Sequence, residues 1–132
     1  MPRLMLDSDI CIDVMRGRSP AIRNRLERTD RDDVAVSSIV AAELWTGVSK
    51  SPNPEGSRDA VLALLAYITV IDWPGEAATT YGEIRAELEA SGRSIGAMDL
   101  LIAAHALHER AILVTRNLSE FRQASGLRIE TW

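Results

Sequence analysis

Short apolar runs rich in β-formers recur at 3–6 (RLML), 34–36 (VAV), 68–71 (ITVI) and 111–114 (AILV), with a weaker one at 127–130 (LRIE). Between them the apolar residues switch to helical spacing, over 9–16, 20–29, 38–48, 57–66, 75–91 and 98–109, as in Ile84 with Leu88 or Leu100, Leu101, Ala104 and Leu107. Strands without polar alternation, separated by helices, predict a parallel sheet covered on both faces. The fold class is therefore α/β, a three-layer α/β/α sandwich with four or five parallel strands. Segment 49–57 (SKSPNPEGS), with its prolines, glycine and serines, predicts a loop between two helices.

Composition narrows the class. A chain of 132 residues, 46% apolar, suits one domain over 1–132 with a single core. No apolar run approaches the roughly 20 residues needed to cross a bilayer, and acidic Asp7 and Asp9 stand where a signal peptide would be apolar. A soluble, cytoplasmic protein is expected. The lone Cys11 has no partner for a disulfide or a CxxC site and reads as a small buried apolar residue. The net charge of -4 gives no overall footprint of a nucleic-acid binder, although an acidic metal site would itself lower the total. Arg16, Arg18, Arg23, Arg25, Arg28 and Arg31 crowd one region, either as a phosphate-facing patch or as a solvated helix face.

In a parallel sheet the carboxyl ends of the strands share one edge, where ligands bind. Here those ends carry Asp7, then Ser37 and Ser38, then Thr115. Glu43 follows in the second turn of the helix opened by the two serines. The positions three and four residues away hold Ile39, Val40, Thr46 and Gly47, so no helical salt bridge is available, and the spacing from either serine rules out a capping box. Asp99 likewise has only Ile95, Gly96, Ile102 and Ala103 at its pairing positions.

Structural explanations exist for the others. Asp99 suits a helix's first turn, Asp7 can cap the helix beginning near Ser8, and Asn117 with Glu120 is close to a capping box. Together, however, Asp7, Glu43 and Asp99 would meet at one edge without a matching cation, a costly arrangement unless a metal ion or protons offset it. Oxygen donors suit a hard cation, Mg²⁺ or Mn²⁺. His105 and His108 lack a third ligand and read as a packed or surface pair.

On these residues the chain resembles a PIN-domain ribonuclease of the VapC type, the toxin of a bacterial toxin-antitoxin pair. The resemblance rests on "LDSD", "SSIVAAEL", "IGAMDLLIAAHAL" and "LVTRNLSEF" in that order across nearly the whole chain. It implies that Asp7, Glu43 and Asp99 hold Mg²⁺ or Mn²⁺, and that Thr115 supplies the hydroxyl of the last site strand. Asn117 falls where some members have a fourth acid, and Asp9 stands in place of an Asn. The implied activity is metal-dependent hydrolysis of RNA phosphodiesters, with Asp99 or Glu43 accepting the water's proton and the N-terminal arginines or Arg116 on the RNA backbone. The implied partners are RNA, a cognate antitoxin covering the acidic groove, and a second copy of the chain in a homodimer.

Two other readings compete. A receiver-type phosphoacceptor domain needs a lysine after a late strand, and the only lysine is Lys50, in the segment between helices. A non-catalytic module keeping the fold for dimerisation or antitoxin binding is opposed by the intact acidic trio. RNA cleavage discriminates.

Overall fold

The computed structural model describes residues 2–132. The elements run β1 (Leu4–Leu6), α1 (Ser8–Arg16), α2 (Pro20–Arg28), a 3-10 turn (Arg31–Asp33), β2 (Val34–Ser37), α3 (Ser38–Lys50), α4 (Pro54–Tyr67), β3 (Thr69–Ile71), α5 (Ala77–Ala90), α6 (Ala97–Glu109), β4 (Ile112–Val114), α7 (Leu118–Phe121) and β5 (Ile129–Glu130). The five strands form one sheet in the order β3-β2-β1-β4-β5, and every pairing is parallel. The α/β sandwich expected from the pattern is the fold observed, with five strands.

Continuous apolar runs appear where strands are covered on both faces. Met5, Leu6, Val36, Leu113 and Val114 are almost wholly buried on the three central strands, each contributing roughly 1.5–3 kcal/mol of hydrophobic stabilisation. The edge differs: Thr69 and Val70 of β3 are exposed, because this strand has a neighbour on one side only. Helices α1 to α4 pack together and α5 packs against α6, with α3 also touching α6.

The expected loop over 49–57 is much shorter. Helix α3 runs through Lys50 and α4 begins at Pro54, so 51–53 alone lie outside helices. Asn53 caps α4, its Oδ1 accepting from Gly56 N at 3.2 Å. Proline is well suited to a helix's first turn, since the N–H it lacks would have no partner there. Residues read as loop formers thus start a helix.

The strand order reverses between β1 and β4, on either side of which the chain leaves in opposite directions across the sheet. A crevice opens at such a reversal, outside the carboxyl ends of the strands. Asp7 follows β1 and Thr115 follows β4, so the fold brings two sequence-distant polar residues to that point.

Candidate acidic active site

Asp7 is fixed from three directions. Its backbone N–H donates to Val114 O at 2.9 Å, tying it to the end of β4. Its Oδ1 accepts from Ser8 N at 2.8 Å as the cap of α1, and its Oδ2 accepts from the Thr115 hydroxyl at 2.7 Å. Both residues are buried, Asp7 at 5% exposure and Thr115 at 0%. The capping role and the edge position are therefore held by one carboxylate. Burial raises the Asp7 pKa against the lowering effect of the Thr115 hydrogen bond, and the charge of Asp9 raises it further.

Asp9 joins the same network. Its Oδ1 accepts from Ile10 N at 2.7 Å, while Oδ2 accepts from Arg116 N at 2.9 Å and faces Thr115 Oγ1 at 3.4 Å. Thr115 Oγ1 in turn accepts from Asn117 N at 3.0 Å. One hydroxyl thereby links the first and fourth strands' carboxyl ends.

Glu43 is half-buried on α3, and its Oε1 is a buried oxygen with no hydrogen-bond partner. Burial raises its pKa, the charges of Asp7 and Asp9 add to the rise, and the Ser8 hydroxyl works against it. Asp99, in the first turn of α6, is raised to about 7 by burial, by its hydrogen bond with Glu120, and by the charges of Glu120, Asp7 and Glu43. Glu120 moves down, led by the hydrogen bond from Gly96 N. Of the two, Asp99 is thus shifted toward its protonated form and Glu120 toward its ionised form.

Glu120 is the site residue that the sequence reading assigned only to a cap. The near-capping-box reading of Asn117 fails: its side chain makes no cap hydrogen bond, and its Nδ2 donates instead to Glu120 Oε2 at 2.7 Å. Glu120 Oε1 accepts from Gly96 N at 2.8 Å, supplying from α7 the acceptor that α6 lacks at its own start. The signal was an acid in the turn after β4, but its target 24 residues away is not visible as a local pattern.

His105 is packed in the core. His105 is wholly buried on α6, with Nδ1 2.7 Å from Ser37 Oγ, and burial lowers its pKa so that it sits neutral in the core. Ser37 Oγ also accepts from Ile39 N at 3.1 Å to cap α3, which fixes the helix that carries Glu43.

Among the described residues no salt bridge reaches Asp7, Glu43 or Asp99. Nor do any three His, Cys, Asp or Glu side chains among them stand close enough to enclose a metal ion unaided. Mutual repulsion favours such spacing, and Mg²⁺ commonly binds through one or two carboxylates while keeping several waters. The oxygen donors and the orphaned Glu43 Oε1 fit a hard cation better than any other group.

A family model described as the PIN domain matches residues 4–127. The "Ribonuclease VapC2" of Rickettsia felis is 41% identical over 129 residues, covering 97% of this chain and 96% of its own. The "tRNA(fMet)-specific endonuclease VapC" of Shigella flexneri is 37% identical over 132 residues, covering 100% and 99%. Among solved structures, DNA-bound VapBC from Salmonella typhimurium superposes with a TM-score of 0.94 at 36% identity, over 100% of this chain and 99% of that one. With a carboxylate set at the switch point of a parallel sheet and likeness along its whole length, the chain belongs to the PIN domain family, in its VapC ribonuclease branch.

Proposed function

We propose that the protein is a Mg²⁺- or Mn²⁺-dependent endoribonuclease and the toxin of a toxin-antitoxin pair. The observation that supports this most is the placing of Asp7, Glu43 and Asp99 at one edge with no cation to offset them, where burial raises the pKa of all three, that of Asp99, beside Glu120, to about 7. Such an arrangement costs stability unless a cation or protons offset it, and carboxylates perturbed in this way cluster at functional sites. Asp7, Glu43 and Asp99 would hold the ion, which when bound activates water and offsets charge on phosphoryl oxygens.

The chain's own residues do the rest. Thr115 and Ser8 N orient Asp7, leaving it one lone-pair direction per oxygen for a ligand. Asn117 and Gly96 hold Glu120 in place, and its charge adds to the burial that raises the Asp99 pKa. Once ionised, Asp99 or the buried Glu43 Oε1 is placed to accept a proton from an attacking water.

The substrate is RNA, and the partners are a cognate antitoxin, whose segment over the acidic groove would carry a basic side chain, and a second copy of this chain. The activities named for the relatives support the first of these, and the VapBC complexes among similar structures support the second. Among the described residues no helix is long and apolar enough to cross a membrane, in keeping with a cytoplasmic site of action.

The test is cleavage of initiator tRNA and of a pool of structured RNAs by purified protein, with Mn²⁺ or Mg²⁺ and with chelator. Cleavage that requires the ion is expected. Cleavage undiminished by chelator overturns the metal requirement, and no cleavage by ion-loaded protein makes the chain a binding module.

A further inference from the structure

Arg116 stands immediately after Thr115, at the rim of the acidic edge, and two carboxylates hold it. Its backbone N–H donates to Asp9 Oδ2 at 2.9 Å. Its Nε lies 3.2 Å from Asp13 Oδ2, on the inner face of α1, where Asp13 is only 4% exposed and its other oxygen, Oδ1, is buried with no hydrogen-bond partner. A buried carboxylate so placed needs a cation, and Arg116 is the one it has.

What Arg116 leaves free matters more. Among the described residues its two terminal amino groups have no hydrogen-bond partner, and its side chain is about half exposed. Guanidinium groups bind phosphate through such paired N–H donors, in a planar fork that lysine cannot reproduce. Two of the N-terminal arginines are engaged elsewhere: Arg25 pairs with Glu130 at 2.7 Å and lies over Trp132, and Arg31 donates to Ala66 O and Tyr67 O.

We propose that Arg116, fixed by the buried Asp13, is the RNA-phosphate contact beside the acidic edge, and that Asp13 is its positioning residue. This rests on the ribonuclease reading and deepens it. Anchoring at Nε removes the rotamer freedom an exposed arginine would lose on binding, so the fork is already aimed when RNA arrives. It also keeps the guanidinium from collapsing onto the acids it must work beside.

The test is steady-state cleavage of a fluorescent RNA that the wild type cuts, as a function of salt, in wild type, Arg116→Gln, Arg116→Lys, Asp13→Asn and the double variant Asp13→Asn/Arg116→Gln. Arg116→Gln is expected to raise KM about tenfold, the scale of a lost hydrogen-bonded charge contact. It should also flatten the salt dependence of log(kcat/KM) by roughly 0.7 to 1, the contribution of one phosphate. Arg116→Lys is expected to keep the salt slope and raise KM less.

Asp13→Asn is expected to raise KM by a few-fold with the slope kept, and to add nothing once Arg116 is gone, because it acts through that residue. Arg116→Gln alone strands a buried charge, so the double variant, which removes both, carries the test if the single one does not fold. A wild-type KM and slope in the folded double variant, beside active wild type, overturns this proposal and leaves the ribonuclease reading standing. Absence of RNA cleavage in every protein, wild type included, overturns both.

Discussion

Asp99→Asn is expected to reduce RNA cleavage by at least about 100-fold, the scale of losing a positioned acid-base group, while making the metal-free protein more stable at neutral and alkaline pH. In the unfolded chain this carboxyl ionises near its ordinary value of 3.8; in the folded protein it does so at about 7. Between those values the folded state binds a proton that the unfolded state has released, so this group's contribution to wild-type stability falls as pH rises from about 4 to about 7 and is level above that. Asparagine does not titrate, and its amide can donate to Glu120 as the protonated acid does. The advantage of the variant should therefore open across that window and reach about 1–2 kcal/mol at pH 8, well below the full linkage because Asp99 is partly exposed to solvent. Chemical denaturation at pH 4.5 and 8 checks the sign. A variant that cleaves normally, or that loses stability at pH 8, contradicts the role given to Asp99.

Phe121→Ala should destabilise the fold by about 3–5 kcal/mol, a large share of the 5–15 kcal/mol available to a domain of this size. Phe121 is fully buried and is the largest side chain in the core with no exposed surface. It closes α7, a single turn of four residues that cannot hold its shape by helical hydrogen bonds alone. Its burial is therefore what keeps Glu120, one residue earlier, in reach of Gly96 and Asn117. Loss of the ring should open that end of α6 as well, and the volume-sparing Phe121→Leu should cost less than half as much. The denaturant midpoint measures both. A loss below about 1 kcal/mol for Phe121→Ala would mean that α7 is held by something other than its aromatic anchor.

The central strands and the six longer helices were legible because burial on both faces and helical periodicity each leave a pattern in the chain. Element ends were less so: Pro54 opens α4 although prolines and serines around it suggested a loop, and nothing in ITVI marks β3 as the exposed edge strand it is. The four-residue α7 is too short to show a period. At the candidate site, Asp7, Thr115, Glu43 and Asp99 stand out in the sequence as polar residues at strand ends or as acids without helical cations. Glu120 and Asp13 do not. Glu120 acts across 24 residues on Gly96, and Asp13 across more than 100 on Arg116, and no local spacing records a contact made by the fold.

The most direct measurement is calorimetric titration of Mn²⁺ into the wild-type protein and into Asp7→Asn, Glu43→Gln and Asp99→Asn, which needs no knowledge of the RNA. The expected result is saturable binding by the wild type, weakened at least about tenfold in each variant, as for loss of a group that holds or orients the ion. Binding of the same strength in all four proteins would place the ion elsewhere and leave Glu43 Oε1, buried and without a partner, with no function to explain it.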